Sequence, residues 1–206
     1  MDRLFMSVAA VAVVAVIGGT AAYVFLGQEQ DRYANCNSAQ VSGGVEIGGP
    51  FELISETGDL VTEADVIDKP ALIYFGYTFC PDVCPLDTVR NAEATDLLLE
   101  KGLSLKPVFV SVDHGRDTAE TMDDFTANLH PDMLGLTGNE EQVHKAAQAY
   151  RVYYDIRDQE DDDYYLVDHS TFSYLMKPEE GFVAAFERAL TGEQLAEQVA
   201  CYLESA

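Results

Sequence analysis

The sequence predicts an α/β domain with a mixed sheet flanked by helices, preceded by a single transmembrane helix. Short apolar segments rich in β-prone residues alternate with longer segments of helical periodicity, which is typical of α/β folds. Two apolar segments near the C-terminus are separated by a glycine turn, which favours a closing antiparallel hairpin. An uncharged apolar run near the N-terminus is long enough to cross a bilayer core.

The N-terminal run covers residues 4–26 and would form a helix about 34 Å long. A cleaved signal peptide is the alternative, because small residues occur at 18–22. The run continues beyond them, so we expect a retained anchor at residues 1–27. Arg3 favours a cytoplasmic N-terminus. With no Arg- and Ser-rich presequence, we expect a single-pass protein of the bacterial inner membrane whose C-terminal domain lies in the periplasm.

A polar, glycine-rich linker is expected at residues 28–49, followed by one domain at 50–206. Continuous apolar runs predict strands that are buried on both faces, and alternating or turn-bounded segments predict the others. A short segment at residues 152–154 and an acidic segment at 158–163 lie between the helical and hairpin regions. The strands are expected at residues 51–54, 71–75, 107–112, 165–167, 172–176 and 182–186.

Helical spacing and N-cap residues predict the helices. Gly102 is expected to end the first helix, whereas Thr118, Asn139 and Thr191 are expected to cap the other three. The helices are expected at residues 86–101, 118–129, 140–150 and from 191 to 203.

The chain is strongly acidic, with 36 Asp and Glu against 12 Lys and Arg and a net charge of −24. Nucleic-acid binding and polybasic docking on anionic lipid both need a basic surface and are therefore excluded. The acidic surface is typical of a soluble domain, and it would also attract cations or a basic partner.

Two cysteines carry the main chemical signal. Cys80 and Cys84 follow a predicted buried strand, where α/β sheets place their ligand sites. With Pro81 in the first helical turn, the spacing of four would place both sulfurs on one helix face. Thiolates select Cu(I), which favours a metal pair. A structural disulfide or packed thiols remain possible, as does a redox dithiol, although thioredoxin-like oxidoreductases have two intervening residues rather than three.

His169 is the best third ligand, because it follows a predicted strand at the mouth of a strand pair. Asp168 would orient the imidazole or hold the loop. Two thiolates and an imidazole form a trigonal site for Cu(I), and an added ligand accommodates Cu(II). His114 follows a strand end and is an outside alternative. The other histidines and two methionines are expected to have packing or surface roles: His130, His144, Met133 and Met176.

Several further motifs follow one another in order: Ser111-Val112-Asp113, Arg116-Asp117-Thr118, Leu136-Thr137-Gly138, Tyr150-Arg151-Val152-Tyr153-Tyr154 and Val167-Asp168-His169-Ser170. With the segment at 75–85, they make the sequence from about Gly48 to the C-terminus resemble the Sco/SenC family of copper chaperones for cytochrome c oxidase. The sequence departs from the family at His114-Gly115, where relatives usually have Pro-Glu. The regions around Glu179-Glu180 and Arg188–Leu190 match loosely.

The resemblance implies a thioredoxin-like fold and a Cys-Cys-His copper site, which maps onto Cys80, Cys84 and His169. It implies binding of Cu(I) and Cu(II), assembly of the copper A centre of oxidase subunit II, an upstream periplasmic copper donor and a thioredoxin-like reductant. The expected protein is therefore a chaperone rather than an enzyme. The alternative is a thiol–disulfide oxidoreductase that reduces the cysteines of the oxidase copper site, with Cys80 and Cys84 as its redox-active pair.

Two cysteines lie outside this site. Cys36 falls in the linker and Cys201 in the last predicted helix, and both would face an oxidising compartment. We expect a disulfide between them, although unpaired thiols are the alternative because connectivity is not readable from sequence. In the same compartment, Cys80 and Cys84 could close into a disulfide that blocks copper binding until it is reduced.

Overall fold

The computed structural model describes residues 18–20, 32–33, 35–36, 46–157 and 164–205. The chain divides into two compact units, Met1–Asn35 and Cys36–Ala206. In the first unit, residues 18–20 are helical, and the guanidinium of Arg32 lies 5.1 Å from the ring centroid of Tyr33. Among the described residues, no helix has the length and apolar character needed to cross a membrane. Most of the predicted anchor and linker, and the whole acidic segment at 158–163, lie outside the described residues.

The second unit contains the strands and helices that build the domain. Its described strands are β1 (Glu52–Ser55), β2 (Leu60–Thr62), β3 (Ala71–Gly76), β4 (Lys106–Ser111), β5 (Leu134–Thr137), β6 (Tyr154–Ile156), β7 (Val167–His169), β8 (Ser173–Lys177) and β9 (Gly181–Phe186). Its described helices are α1 (Glu63–Val66), α2 (Val83–Glu100), α3 (Ala119–Ala127), α4 (Glu140–Ala149) and α5 (Gly192–Glu204).

Seven strands form one sheet in the order β2-β1-β5-β4-β3-β8-β9. The central strands β3, β4 and β5 are parallel, so their carboxyl ends meet at one edge of the sheet. The hairpin β8–β9 joins antiparallel to β3 and confirms the mixed sheet. Strands β6 and β7 form a separate two-stranded sheet, in which His169 pairs with Tyr154.

The core follows from the apolar runs in the sequence. All six residues of β3 are buried, which confirms a strand covered on both faces. Helices α2 and α5 pack against each other, and α3 packs on β5. Aromatic rings link these layers, with centroids 5.3 Å apart for Phe75 and Tyr150 and 4.7 Å apart for Phe109 and Phe125. Met133 and Met176 are buried, as expected.

The capping predictions for three helices are confirmed. Thr118, Asn139 and Thr191 each accept a hydrogen bond from the backbone N–H three residues later, and each forms a capping box. Three elements were not predicted, namely β2, α1 and β5. The first two are very short. Strand β5 contains Gly135, where a Cβ would lie 2.8 Å from Oε2 of Glu56, so packing requires a residue with low strand propensity.

Candidate metal centre

The two cysteines lie between β3 and α2. The prediction that both sulfurs lie on one helix face is wrong, because α2 begins at Val83 and Cys80 precedes it. Pro81 contributes to this, because the helical conformation is disfavoured for a residue that precedes proline. The loop is instead closed by the backbone N–H of Cys84, which donates to Sγ of Cys80 at 3.4 Å. Cys84 is fully buried and Cys80 is partly exposed, and both are free thiols.

The third predicted ligand, His169, is the last residue of β7. The sequence predicted this strand at residues 165–167, two residues before its observed position. The neighbouring segment at 152–154 likewise lies two residues before β6. Nε2 of His169 lies 3.2 Å from Sγ of Cys84, and Nδ1 lies 2.9 Å from the carbonyl oxygen of Ser170. A carbonyl only accepts, so the proton of the neutral ring resides on Nδ1. The lone pair of Nε2 therefore faces the sulfur and is free to bind a metal.

The ring of His169 is held from two further sides. The rings of Tyr74 and Tyr77 lie perpendicular to it, with centroid distances of 6.1 and 5.9 Å. Gly76 leaves room for Sγ of Cys84, because a Cβ on residue 76 would lie only 3.0 Å from that sulfur. A side chain at this position would therefore displace Sγ of Cys84 or the neighbouring ring of Tyr74.

Among the described residues, no hydrogen bond joins the Asp168 carboxylate to the imidazole of His169. This carboxylate forms an ion pair with Arg157, next to β6, while the carbonyl of Ser170 orients the ring. Of the two roles expected for Asp168, holding the loop agrees with these contacts. Sequence reasoning missed Ser170, because a backbone carbonyl leaves no signal in residue type. His114 does not belong to the cluster of possible ligands found among the described residues.

The loop after β4 contacts the segments that carry the ligands. Tyr165 lies four residues before His169, and its hydroxyl donates to Oδ1 of Asp113 at 2.5 Å. The guanidinium of Arg116 bonds Oδ2 of the same carboxylate and lies 3.5 Å from the Tyr165 ring centroid. Arg116 also lies 4.9 Å from the ring of Phe79, next to Cys80. These contacts link the histidine segment to the cysteine loop.

The structure brings Cys80, Cys84 and His169 together. Their donor atoms, Sγ, Sγ and a ring nitrogen, all lie within 4.8 Å of one another. With metal–thiolate and metal–imidazole bonds of about 2.0–2.3 Å, a trigonal ion needs donor atoms about 4 Å apart. The observed cluster therefore fits one ion with small shifts of the side chains. Two thiolates and one imidazole are the soft donor set that Cu(I) prefers.

Comparison with known proteins identifies the family. The family model described as SCO1/SenC matches residues 39–204. This chain belongs to the SCO1/SenC family. Protein SenC of Rhodobacter capsulatus is 51% identical over 197 residues, which cover 96% of this chain and 89% of SenC. The SCO1 homolog 1 of Arabidopsis thaliana is 46% identical over 143 residues, or 69% of this chain and 42% of that protein.

Solved Sco structures share the fold. The crystal structure of Arabidopsis thaliana ScoI with copper bound has a TM-score of 0.74 and 40% identity, covering 78% of this chain and 99% of that one. The structure of yeast Sco1 with copper bound has a TM-score of 0.73 and 35% identity, covering 79% and 91%. The domain therefore has the mixed α/β, thioredoxin-like Sco fold that the resemblance implies.

The remaining two cysteines of this SCO1/SenC protein are joined in the structure. Cys36 and Cys201 form a disulfide with their Cα atoms 5.7 Å apart. Cys36 is buried, and its carbonyl accepts a hydrogen bond from the Tyr202 hydroxyl at 3.4 Å. The bridge attaches the segment before β1 to α5, far along the chain.

The two site thiols have opposite electrostatic environments. A hydrogen bond from the Cys84 thiol is the largest cause that lowers the pKa of Cys80 to about 3. The same bond, followed by burial, raises the pKa of Cys84. In the metal-free pair, these shifts favour the thiolate on the partly exposed Cys80 and the thiol on the buried Cys84.

This arrangement predicts selective alkylation of the reduced, metal-free SCO1/SenC protein. We expect iodoacetamide to modify Cys80 at a rate that changes less than about twofold between about pH 5.5 and 8.5, since its thiolate persists throughout. A free thiol with a pKa of about 8.5 would instead react several hundredfold faster across that range. Peptide mapping should find Cys84 unmodified in the folded protein. A Cys80 rate that rises like that of a free thiol would contradict the assignment.

Proposed function

We propose that this protein is a membrane-anchored copper chaperone that binds one copper ion through Cys80, Cys84 and His169. The observation that carries the proposal is the convergence of two sulfurs and one imidazole nitrogen within 4.8 Å. Copper is the cargo, and an accessible site with three ligands suits release to a partner. Cys80 is partly exposed, so a partner's thiolate can approach the ion there.

The donor set suits copper. A closed structural zinc site has four tetrahedral ligands, whereas the cluster found among the described residues contains three. Two thiolates with one imidazole suit Cu(I), and one added ligand allows Cu(II). The relatives from Arabidopsis and yeast were solved with copper bound, which supports the same cargo here.

We further propose that the recipient is the copper A site of cytochrome c oxidase subunit II, as the family resemblance implies. The protein would lie in the bacterial inner membrane with this domain in the periplasm. An upstream periplasmic donor would load it, and a thioredoxin-like reductant would keep Cys80 and Cys84 reduced. The net charge of −24 would favour a recipient with a basic rim around its copper site.

Copper transfer tests this function. The reduced full-length protein, loaded with one equivalent of Cu(I), is mixed with the metal-free, reduced soluble domain of subunit II and then separated from it. We expect copper to move to the recipient from the wild-type protein. The Cys80→Ser/Cys84→Ser variant should neither load nor deliver copper. Retention of copper by the wild-type protein, or loading of the double variant, would contradict the proposal.

The second candidate is a thiol–disulfide oxidoreductase acting on the cysteines of the same oxidase site. The lowered pKa of Cys80, caused mainly by the Cys84 thiol, favours this chemistry, because a thiolate is the attacking species. Cys80 would attack a partner disulfide, and Cys84 would resolve the mixed disulfide and release the reduced partner. The resulting Cys80–Cys84 disulfide would then need the thioredoxin-like reductant. Copper binding would require His169 as a ligand, whereas thiol–disulfide exchange would not, so a variant of His169 distinguishes the two functions.

A further inference from the structure

A buried carboxylate supports the cysteine loop from the segment that follows the neighbouring strand β4. Asp117 lies after β4 and is only 3% exposed. Its Oδ2 accepts the backbone N–H of Thr78 at 3.0 Å and the Ser111 hydroxyl at 2.5 Å, and its Oδ1 accepts the Thr78 hydroxyl at 2.5 Å. Thus two of these three hydrogen bonds come from one residue, Thr78, which lies two residues before Cys80.

The charge of Asp117 is stabilised by hydrogen bonds rather than by a cation. Among the ion pairs of the described residues, none includes Asp117. A buried carboxylate is costly unless its oxygens are hydrogen-bonded, so the three donors have to remain in place for the folded state to be stable. The desolvated carboxylate therefore restrains Thr78 more strongly than a hydrogen bond between neutral groups would.

Apart from the contact of Arg116 with the Phe79 ring, the cysteine loop has few other restraints. Beyond Thr78, the Phe79 side chain is 53% exposed, and the backbone N–H of Cys80 donates to the carbonyl of Tyr77 at 3.3 Å. The sulfur of Cys80 accepts from the N–H of Cys84 at 3.4 Å. Without Thr78 as a fixed point, the loop would connect β3 to α2 mainly through its own internal hydrogen bonds.

We infer that Asp117 is a positioning residue for the metal centre, which fixes Cys80 opposite Cys84 and His169 by holding Thr78 through two hydrogen bonds. The carboxylate belongs to the segment that follows β4, and β4 runs parallel to β3. The hydrogen bonds of Asp117 therefore fix the cysteine loop relative to this edge of the sheet. This role deepens the proposed copper binding and rests on it, but the restraint on the loop also exists in the metal-free protein.

The test uses Thr78→Val in the full-length protein, which removes the hydroxyl while keeping the shape and the backbone N–H. Thr126→Val is the matched control, because the Thr126 hydroxyl donates to the carboxylate of Glu56 at 2.6 Å in a contact between α3 and the turn after β1. In the metal-free protein, we expect faster amide exchange at residues 78–80 in Thr78→Val and unchanged exchange there in Thr126→Val. In the loaded protein, Thr78→Val should lower the Cu(I) affinity about tenfold, with little change in the control.

A conservative pair of variants separates positioning from simple loss of stability. Asp117→Asn keeps an oxygen that can accept from the Thr78 N–H, so we expect it to retain more of the loop protection and of the Cu(II)–thiolate absorption band than Asp117→Ala. Unchanged exchange at residues 78–80 in Thr78→Val, or an effect on affinity no larger than in the control, would overturn the inference. A wild-type protein that binds no copper would refute the proposed function. The amide exchange rates would still show whether Asp117 restrains the cysteine loop.

Discussion

Replacement of His169 by alanine is expected to lower the Cu(I) affinity of the protein by about hundredfold or more. The imidazole is one of three donors, and its Nε2 already lies 3.2 Å from Sγ of Cys84 with its lone pair free. Even loss of a residue that only orients a ligand typically costs about 10- to 100-fold in metal affinity, so loss of the ligand itself should cost at least as much. Competition with a chromophoric Cu(I) chelator measures the effect.

The matched control is His144→Ala, because His144 is exposed on α4 and does not belong to the ligand cluster. This variant should bind copper like the wild-type protein. Both variants should still form and exchange the Cys80–Cys84 disulfide, which distinguishes the chaperone from the oxidoreductase. Equal copper retention by His169→Ala and wild type would remove His169 from the site, whatever the outcome for thiol exchange.

Loss of the Cys36–Cys201 disulfide is expected to lower the free energy of unfolding by about 2–5 kcal/mol. The bridge joins residues separated by 165 positions, so in the oxidised protein it restricts a very long loop of the unfolded chain. It also places Cys36 against α5, where the Tyr202 hydroxyl bonds its carbonyl. Denaturant titration of oxidised Cys201→Ser against oxidised wild type measures the difference.

The double variant provides the control for this effect. Cys36→Ser/Cys201→Ser should be about as stable as either single variant, because the first substitution already removes the bridge. Single variants whose losses add in the double variant would show that the two sulfurs act separately. Copper binding should be unchanged in all three, since neither cysteine belongs to the metal cluster.

Much of the domain could be predicted from local sequence. The continuous apolar run in β3 and the N-cap residues Thr118, Asn139 and Thr191 act over a few positions, and the structure confirms each of them. Short elements escaped prediction because tertiary packing stabilises them more than propensity does. Strand β5 is the clearest case, since Gly135 is required there by the neighbouring carboxylate of Glu56.

The sequence by itself determined which residue types are available for the metal centre and in which order they occur. The sequence places two thiols near the end of one strand and a histidine near the end of another, and these side chains form a donor set that suits copper. The tertiary structure decided how they meet. The carbonyl of Ser170 selects the tautomer of His169, and Asp117 restrains Thr78 from the segment after β4. Each of these depends on a backbone conformation or on a contact between distant parts of the chain, and neither is encoded in the spacing of residue types.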